Sequence, residues 1–261
     1  MRTLAGSQHG FTLVEAIVVI VVMGIVVALS AMFVSRPIEA YFDASRRAEL
    51  TDIADTALRR MARDLRSAVP NSIRLSGNYL EFVPIKAAGR YRAEVEAGGG
   101  GDPLDFTSAT DDSFDVLGPP VPVASGDSIV IYNLGIPGAD IYEGSSRRAA
   151  VSGGSTVTYT VGGSQFPFAS PGNRFYVVGG AVSYACVGGQ LRRYAGYAIQ
   201  AAQPTPPAGT PAILADNVSG CSIDYTPGVT ERSGLVAISL TLSKDGESVT
   251  LYHEVHVDNA P

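Results

Sequence analysis

The sequence predicts an α+β fold, a long N-terminal helix packed on a mainly antiparallel β-sheet. Three observations predict it. Residues Ala16 to Val34 are 19 consecutive positions without a charge. From Ile38 to Val69 there is no glycine or proline, and Leu50, Ile53, Ala57, Met61, Leu65 and Val69 recur at spacings of three and four, one stripe on a helix. Beyond Pro70 the period falls to two, between short clusters of turn residues.

The uncharged run comes first. At 1.5 Å per residue it reaches roughly 28 Å, close to the thickness of a hydrocarbon core. A buried helix of this length in a soluble protein would carry a polar face, and this one carries none. A secretory signal would end at a small-residue cleavage site such as "ALSA" at Ala28–Ala31, but Met32, Phe33 and Val34 continue the run. The reading is a membrane helix over 11–35. Glu15 sits at its lip, and a carboxylate there is a functional hypothesis by default.

Arg36 and Pro37 predict a kink or a short break, because proline removes one helical donor. An amphipathic continuation follows over 36–69. Its other faces hold Asp52, Asp55, Arg59, Arg60, Arg63, Asp64 and Arg66, with Asp55–Arg59 at ion-pair spacing.

A β-rich domain is expected over 70–261. "SIRLSGNYLEFVPI" predicts a hairpin turning at Gly77-Asn78. Further strands are expected at 114–117, 128–132, 155–160 and 174–178, with two more around Gly188-Gly189. Ala201–Pro211 reads as a surface loop or rigid spacer. Val236, Ile238, Leu240 and Leu242 alternate before Asp245-Gly246, and Val249, Leu251, His253, Val255 and Val257 alternate after it. This is the strongest hairpin in the chain.

Composition limits function. The 261 residues are 17% charged with a net charge of -6, and no basic face suited to nucleic acid is present. The glycines at 98–101 lack the Lys-Ser or Lys-Thr pair of a phosphate loop. His253 and His256 fall on opposite faces of a strand and make a poor metal pair. Asp111, Asp112 and Asp115 read as a polar loop. There is no nucleophile elbow and no CxxC motif, so neither an enzyme, a cofactor nor a metal site is expected.

The residues before the span are more specific. "MRTLAGSQHG" is short and polar, and Gly10-Phe11-Thr12-Leu13-Val14-Glu15 leads into the apolar run. This segment resembles the prepilin N-terminal motif of type IV pilins and type II secretion pseudopilins. The resemblance implies a type IV pilin-like fold and a leader peptide over 1–10. Prepilin peptidase would cut between Gly10 and Phe11 and N-methylate Phe11, leaving 251 residues. It also implies that Glu15 meets the new amine of a neighbouring subunit. An unpaired buried charge is costly, so such a pair would set register. The implied partners are other major and minor pilins, the inner-membrane assembly platform and the lipid bilayer. The segments "RPIEAYFDASRRAELTDIADTALRRMARDLRSAVPNSIR", "LRRYAGY" and "YHEVHVDNAP" resemble minor pilins of MSHA-type pili. A minor pseudopilin of a type II secretion system stands beside that reading. A membrane-anchored periplasmic enzyme or ligand-binding domain is the rival from another class. With the domain 70–261 in the periplasm, Cys186 and Cys221 are expected to form a disulfide, worth roughly 4 kcal/mol by chain entropy. Two unpaired thiols are the alternative.

Overall fold

The computed structural model describes residues 10–228 and 233–261. Most of the expected leader, including Arg2 and His9, lies outside the described residues. The chain divides into two units, residues 1–49 and 50–261.

One helix, α1 (Leu13–Arg66), takes part in both. It runs through Pro37 without the short break that is one of the two outcomes the sequence predicts there. Proline removes a single i→i−4 bond, and long runs of helix formers on both sides keep the remaining turns in place. The helix also stops at Arg66, three residues early. Ser67 N–H and Oγ both donate to the Asp64 carbonyl, and Val69 N–H has already joined the sheet by donating to the Val83 carbonyl at 2.8 Å.

Fourteen strands follow among the described residues. In chain order they are β1 (Arg74–Ser76), β2 (Tyr79–Phe82), β3 (Ile85–Arg90), β4 (Ser113–Asp115), β5 (Ser128–Val130), β6 (Arg147–Ser152) and β7 (Thr156–Thr160). Then come β8 (Arg174–Val178), β9 (Ala181–Val187), β10 (Gln190–Tyr197), β11 (Ala212–Ala215), β12 (Val218–Thr226), β13 (Gly234–Lys244) and β14 (Glu247–Val257). They form a five-stranded sheet β1-β2-β9-β10-β11, a three-stranded sheet β12-β13-β14 and a six-stranded sheet β3-β8-β5-β6-β7-β4. Every pairing is antiparallel.

Turn chemistry fixes the registers. Ser76 opposes Tyr79 across a two-residue turn, with Gly77 at φ 56°. Lys244 opposes Glu247, and Asp245 and Gly246 both take positive φ, the primed geometry that matches strand twist.

Most of the helical stripe is buried as its spacing predicts, with Ile53 only half-buried and Val69 past the helix end in another cluster, and the buried face is wider than predicted. Leu50, Ala57, Met61 and Leu65 are joined by Ala54, Leu58 and Ala62. They pack against Leu80, Phe82, Val182, Tyr184 and Leu191 of the five-stranded sheet. They also meet Val236, Ile238, Leu240, Leu242, Val255 and Val257 of the three-stranded sheet. The opposite face of the five-stranded sheet buries Ala181, Ala185, Tyr194 and Tyr197 with Val130, Tyr176 and Val178 of the six-stranded sheet. Behind that sheet lies a third, aromatic cluster that includes Tyr91, Phe114, Tyr159, Phe166 and Phe175.

Candidate functional site: the N-terminal segment of α1

The N-terminus of α1 is built by its first residues. Thr12 is the N-cap: its carbonyl accepts from Glu15 N–H at 3.1 Å and Ala16 N–H at 3.2 Å, and its Oγ1 accepts from Glu15 N–H at 3.3 Å. Thr12 and Glu15 have the T-x-x-E spacing of a capping box, the sequence signal for this cap. Glu15 takes part in this cap through its backbone N–H. A carboxylate in the first turn is favoured by the helix dipole. Among the described residues the Glu15 carboxylate accepts no hydrogen bond, and the residue is exposed.

Gly10 is exposed, with no atom near the position a Cβ would take, and Phe11 is 71% exposed. The peptide between them is thus sterically open. From Leu13 to Ser30, 18 residues have a mean hydropathy of 2.9 and none is buried. A helix apolar on every side and uncovered by protein suits a lipid environment.

The family described as "Prokaryotic N-terminal methylation motif" matches residues 6–31. The chain carries this methylation motif. No curated protein and no solved structure matches the chain. The methylation motif spans the predicted cut site, Glu15 and most of the apolar run, and it supports a type IV pilin or pseudopilin anchored in a membrane. With a long helix on an antiparallel body, the fold is α+β and type IV pilin-like.

The other residues singled out in the sequence have defined surroundings. Cys186 on β9 and Cys221 on β12 are bonded, S–S 2.06 Å, and join the five-stranded sheet to the three-stranded one. Asp55 and Arg59 pair at 2.6 Å on the exposed side of α1. His253 lies half-buried in a groove with Arg59, Arg63 and Arg66, while His256 is exposed on the other face of β14.

The acidic group is dispersed into loop hydrogen bonds. Asp111 accepts from Asp105 N–H. Asp115 accepts from Asp102 N–H and Thr156 Oγ1, which hold its carboxyl below the usual range. Among the described residues no group of three or more His, Cys, Asp or Glu side chains could hold a metal.

Two polar networks that anchor α1 and the sheet behind it were not visible in the sequence. Asp64 Oδ2, on the helix, accepts from Arg193 Nε at 2.8 Å and Tyr184 Oη at 2.7 Å. Burial and the adjacent carboxylate push the Tyr184 hydroxyl well up, so it remains a donor. Burial is the largest single influence on Arg193 and lowers it, but the hydrogen bonds and charges of Asp64 and Tyr184 together outweigh burial and raise it. Glu81, fully buried, accepts from Arg74 Nε and from Tyr197 Oη at 2.9 Å.

Proposed function

We propose that this chain is a minor pilin of an MSHA-like type IV pilus, of the MshO kind, that primes or caps the filament through its N-terminal helix. The methylation motif over residues 6–31 supports the coarser part of this reading, a type IV pilin or pseudopilin, and the resemblance of the later segments to MSHA-type minor pilins supports the rest. Prepilin peptidase cuts after Gly10 and methylates Phe11. The segment 11–35 is the membrane anchor, 36–69 the continuation of the helix, and 70–261 the periplasmic domain. Glu15 receives the amine of a neighbouring subunit, which needs a counter-charge in a low-dielectric setting. The exposure of Glu15 and the cap supplied by Thr12 support that role, because the helix end is satisfied without using the carboxylate. The cystine between Cys186 and Cys221 is consistent with an oxidising compartment.

Pseudopilins share the motif, so a GspJ-like minor pseudopilin of a type II secretion system is the second reading; the neighbouring genes distinguish the two.

N-terminal mass analysis of the purified protein tests the first step. The expected product starts at N-methylated Phe11. A retained Met1, or a cut near Ala31, would favour a membrane-anchored enzyme or ligand-binding protein instead. Glu15→Ala is expected to be cleaved normally and to enter filaments poorly, read by immunoblot of sheared pili. Normal incorporation would remove the register role.

A further inference from the structure

Arg147 and Arg148, consecutive at the start of β6, are two cations without an acidic partner among the described residues. Arg148 is only 7% exposed. Its Nε donates to the Ser164 carbonyl at 2.9 Å. Nη1 donates to the carbonyls of Gly144, Ser145 and Arg147 at 3.1, 3.0 and 2.8 Å. Nη2 donates to the Gln165 carbonyl at 2.6 Å and to Ser164 Oγ at 3.5 Å. The guanidinium also lies 4.9 Å from the Phe166 ring centroid. Every one of these partners is neutral. The side chain is locked and its positive charge is uncompensated.

Arg147 is the complement. Its Nε is buried and has no hydrogen-bond partner. The nearest acids along the chain are turned to backbone, since Asp140 accepts from Tyr142 N–H and Glu143 from Gly138 N–H. Burial lowers the pKa of both arginines and no carboxylate raises either. A buried charge lacking a partner is costly. An open cavity of about 300 Å³ is lined by Arg147 and Arg148 together with Gly144, Thr160, Gly162 and Ser164.

We propose that this cavity is a binding site for an oxyanion, with Arg147 as the direct ligand and Arg148 as the fixed positive charge behind it. The planar fork of Arg147 suits a carboxylate, phosphate or sulfate group. Thr160 and Ser164 supply hydroxyls at the cavity wall. The site lies in the six-stranded sheet and does not depend on the filament reading.

Titration calorimetry on the full-length chain in detergent tests it, with inorganic phosphate and sodium glucuronate as probes against chloride at matched ionic strength. Saturable millimolar binding of either probe is expected. Phosphate alone would mark a phosphate-type ligand, and glucuronate alone an acidic sugar or carboxylate. Arg147→Gln should weaken binding by about tenfold or more, Arg147→Lys by less, and Arg63→Gln not at all. Arg147 makes no hydrogen bond through its side chain among the described residues, so its variants should keep the wild-type circular dichroism spectrum. If neither probe saturates, or if Arg147→Gln binds as wild type does, the site is refuted.

Discussion

Glu81 shows what a single residue contributes to this fold. Its carboxylate is inaccessible and holds Arg74, which donates in turn to the carbonyls of Gln200 and Ala201 and stacks 3.5 Å over the Tyr142 ring. The start of the proline-rich loop is thereby tied to the sheet. Removing one partner of a buried ion pair strands the other charge. Glu81→Gln is expected to cost about 3 kcal/mol in urea unfolding; a loss below about 0.5 kcal/mol, the ordinary range for a surface change, would contradict it. Asp140 acts in the opposite sense. Burial raises its pKa, against a hydrogen bond from Tyr142 N–H that lowers it. With the folded pKa above the unfolded value of about 3.9, its stabilising contribution is full below that value and is lost as pH rises through the folded pKa. Asp140→Asn should therefore lie closest to wild type in strong acid and be the more stable at neutral pH, as followed by thermal melts across that window. Asp55–Arg59 and the two cysteines could be read from the sequence by spacing and by count. Glu81 and Asp64 could not, because Tyr197 and Arg193 lie 116 and 129 residues away from them.

Among the elements, α1 was the most legible and was still read too narrowly. Its stripe appeared in mostly large side chains together with Ala57, but the close approach to two sheets also depends on Ala54 and Ala62, which lie outside that stripe. Alanine gives a weak periodic signal, since it suits both a core and a surface. Ala57→Leu should overpack this contact and cost roughly 1–3 kcal/mol. Thr56→Leu, one residue away on the exposed side, should stay within about 0.5 kcal/mol. A comparison of their urea midpoints decides between them. The β13–β14 hairpin was equally clear, with strict alternation on both sides of Asp-Gly. Strands β3, β6, β11 and β12 were not foreseen. "IKAAGR" and "RRAAVS" are rich in arginine, alanine and glycine, residues with little β-preference, and their pairing is decided by neighbouring strands.

For the whole molecule, the fold class followed from periodicity, whereas the partition into three sheets did not. Order within a sheet is set by contacts between distant strands, as where β2 pairs with β9. The candidate site was legible from one short segment, because the chemistry proposed for it is local: a cut after Gly10, a new amine at Phe11 and a carboxylate four residues further on. The oxyanion cavity was not, since Arg147 and Arg148 acquire meaning only when the loop at Ser164–Gln165 folds over them.

The cystine has a mechanical consequence. Cys186 and Cys221 are separated by 35 positions, and β10 and β11 lie between them. Under tension along the chain that stretch cannot pay out, so two strands of the five-stranded sheet are shielded from the load. At about 3.4 Å per extended residue, roughly 110 Å of contour length is hidden. Pulling the domain with optical tweezers from Leu50 to Pro261 should release that extra length only in the presence of a reductant, and an equal extension in both buffers would show that the bond does not shield it.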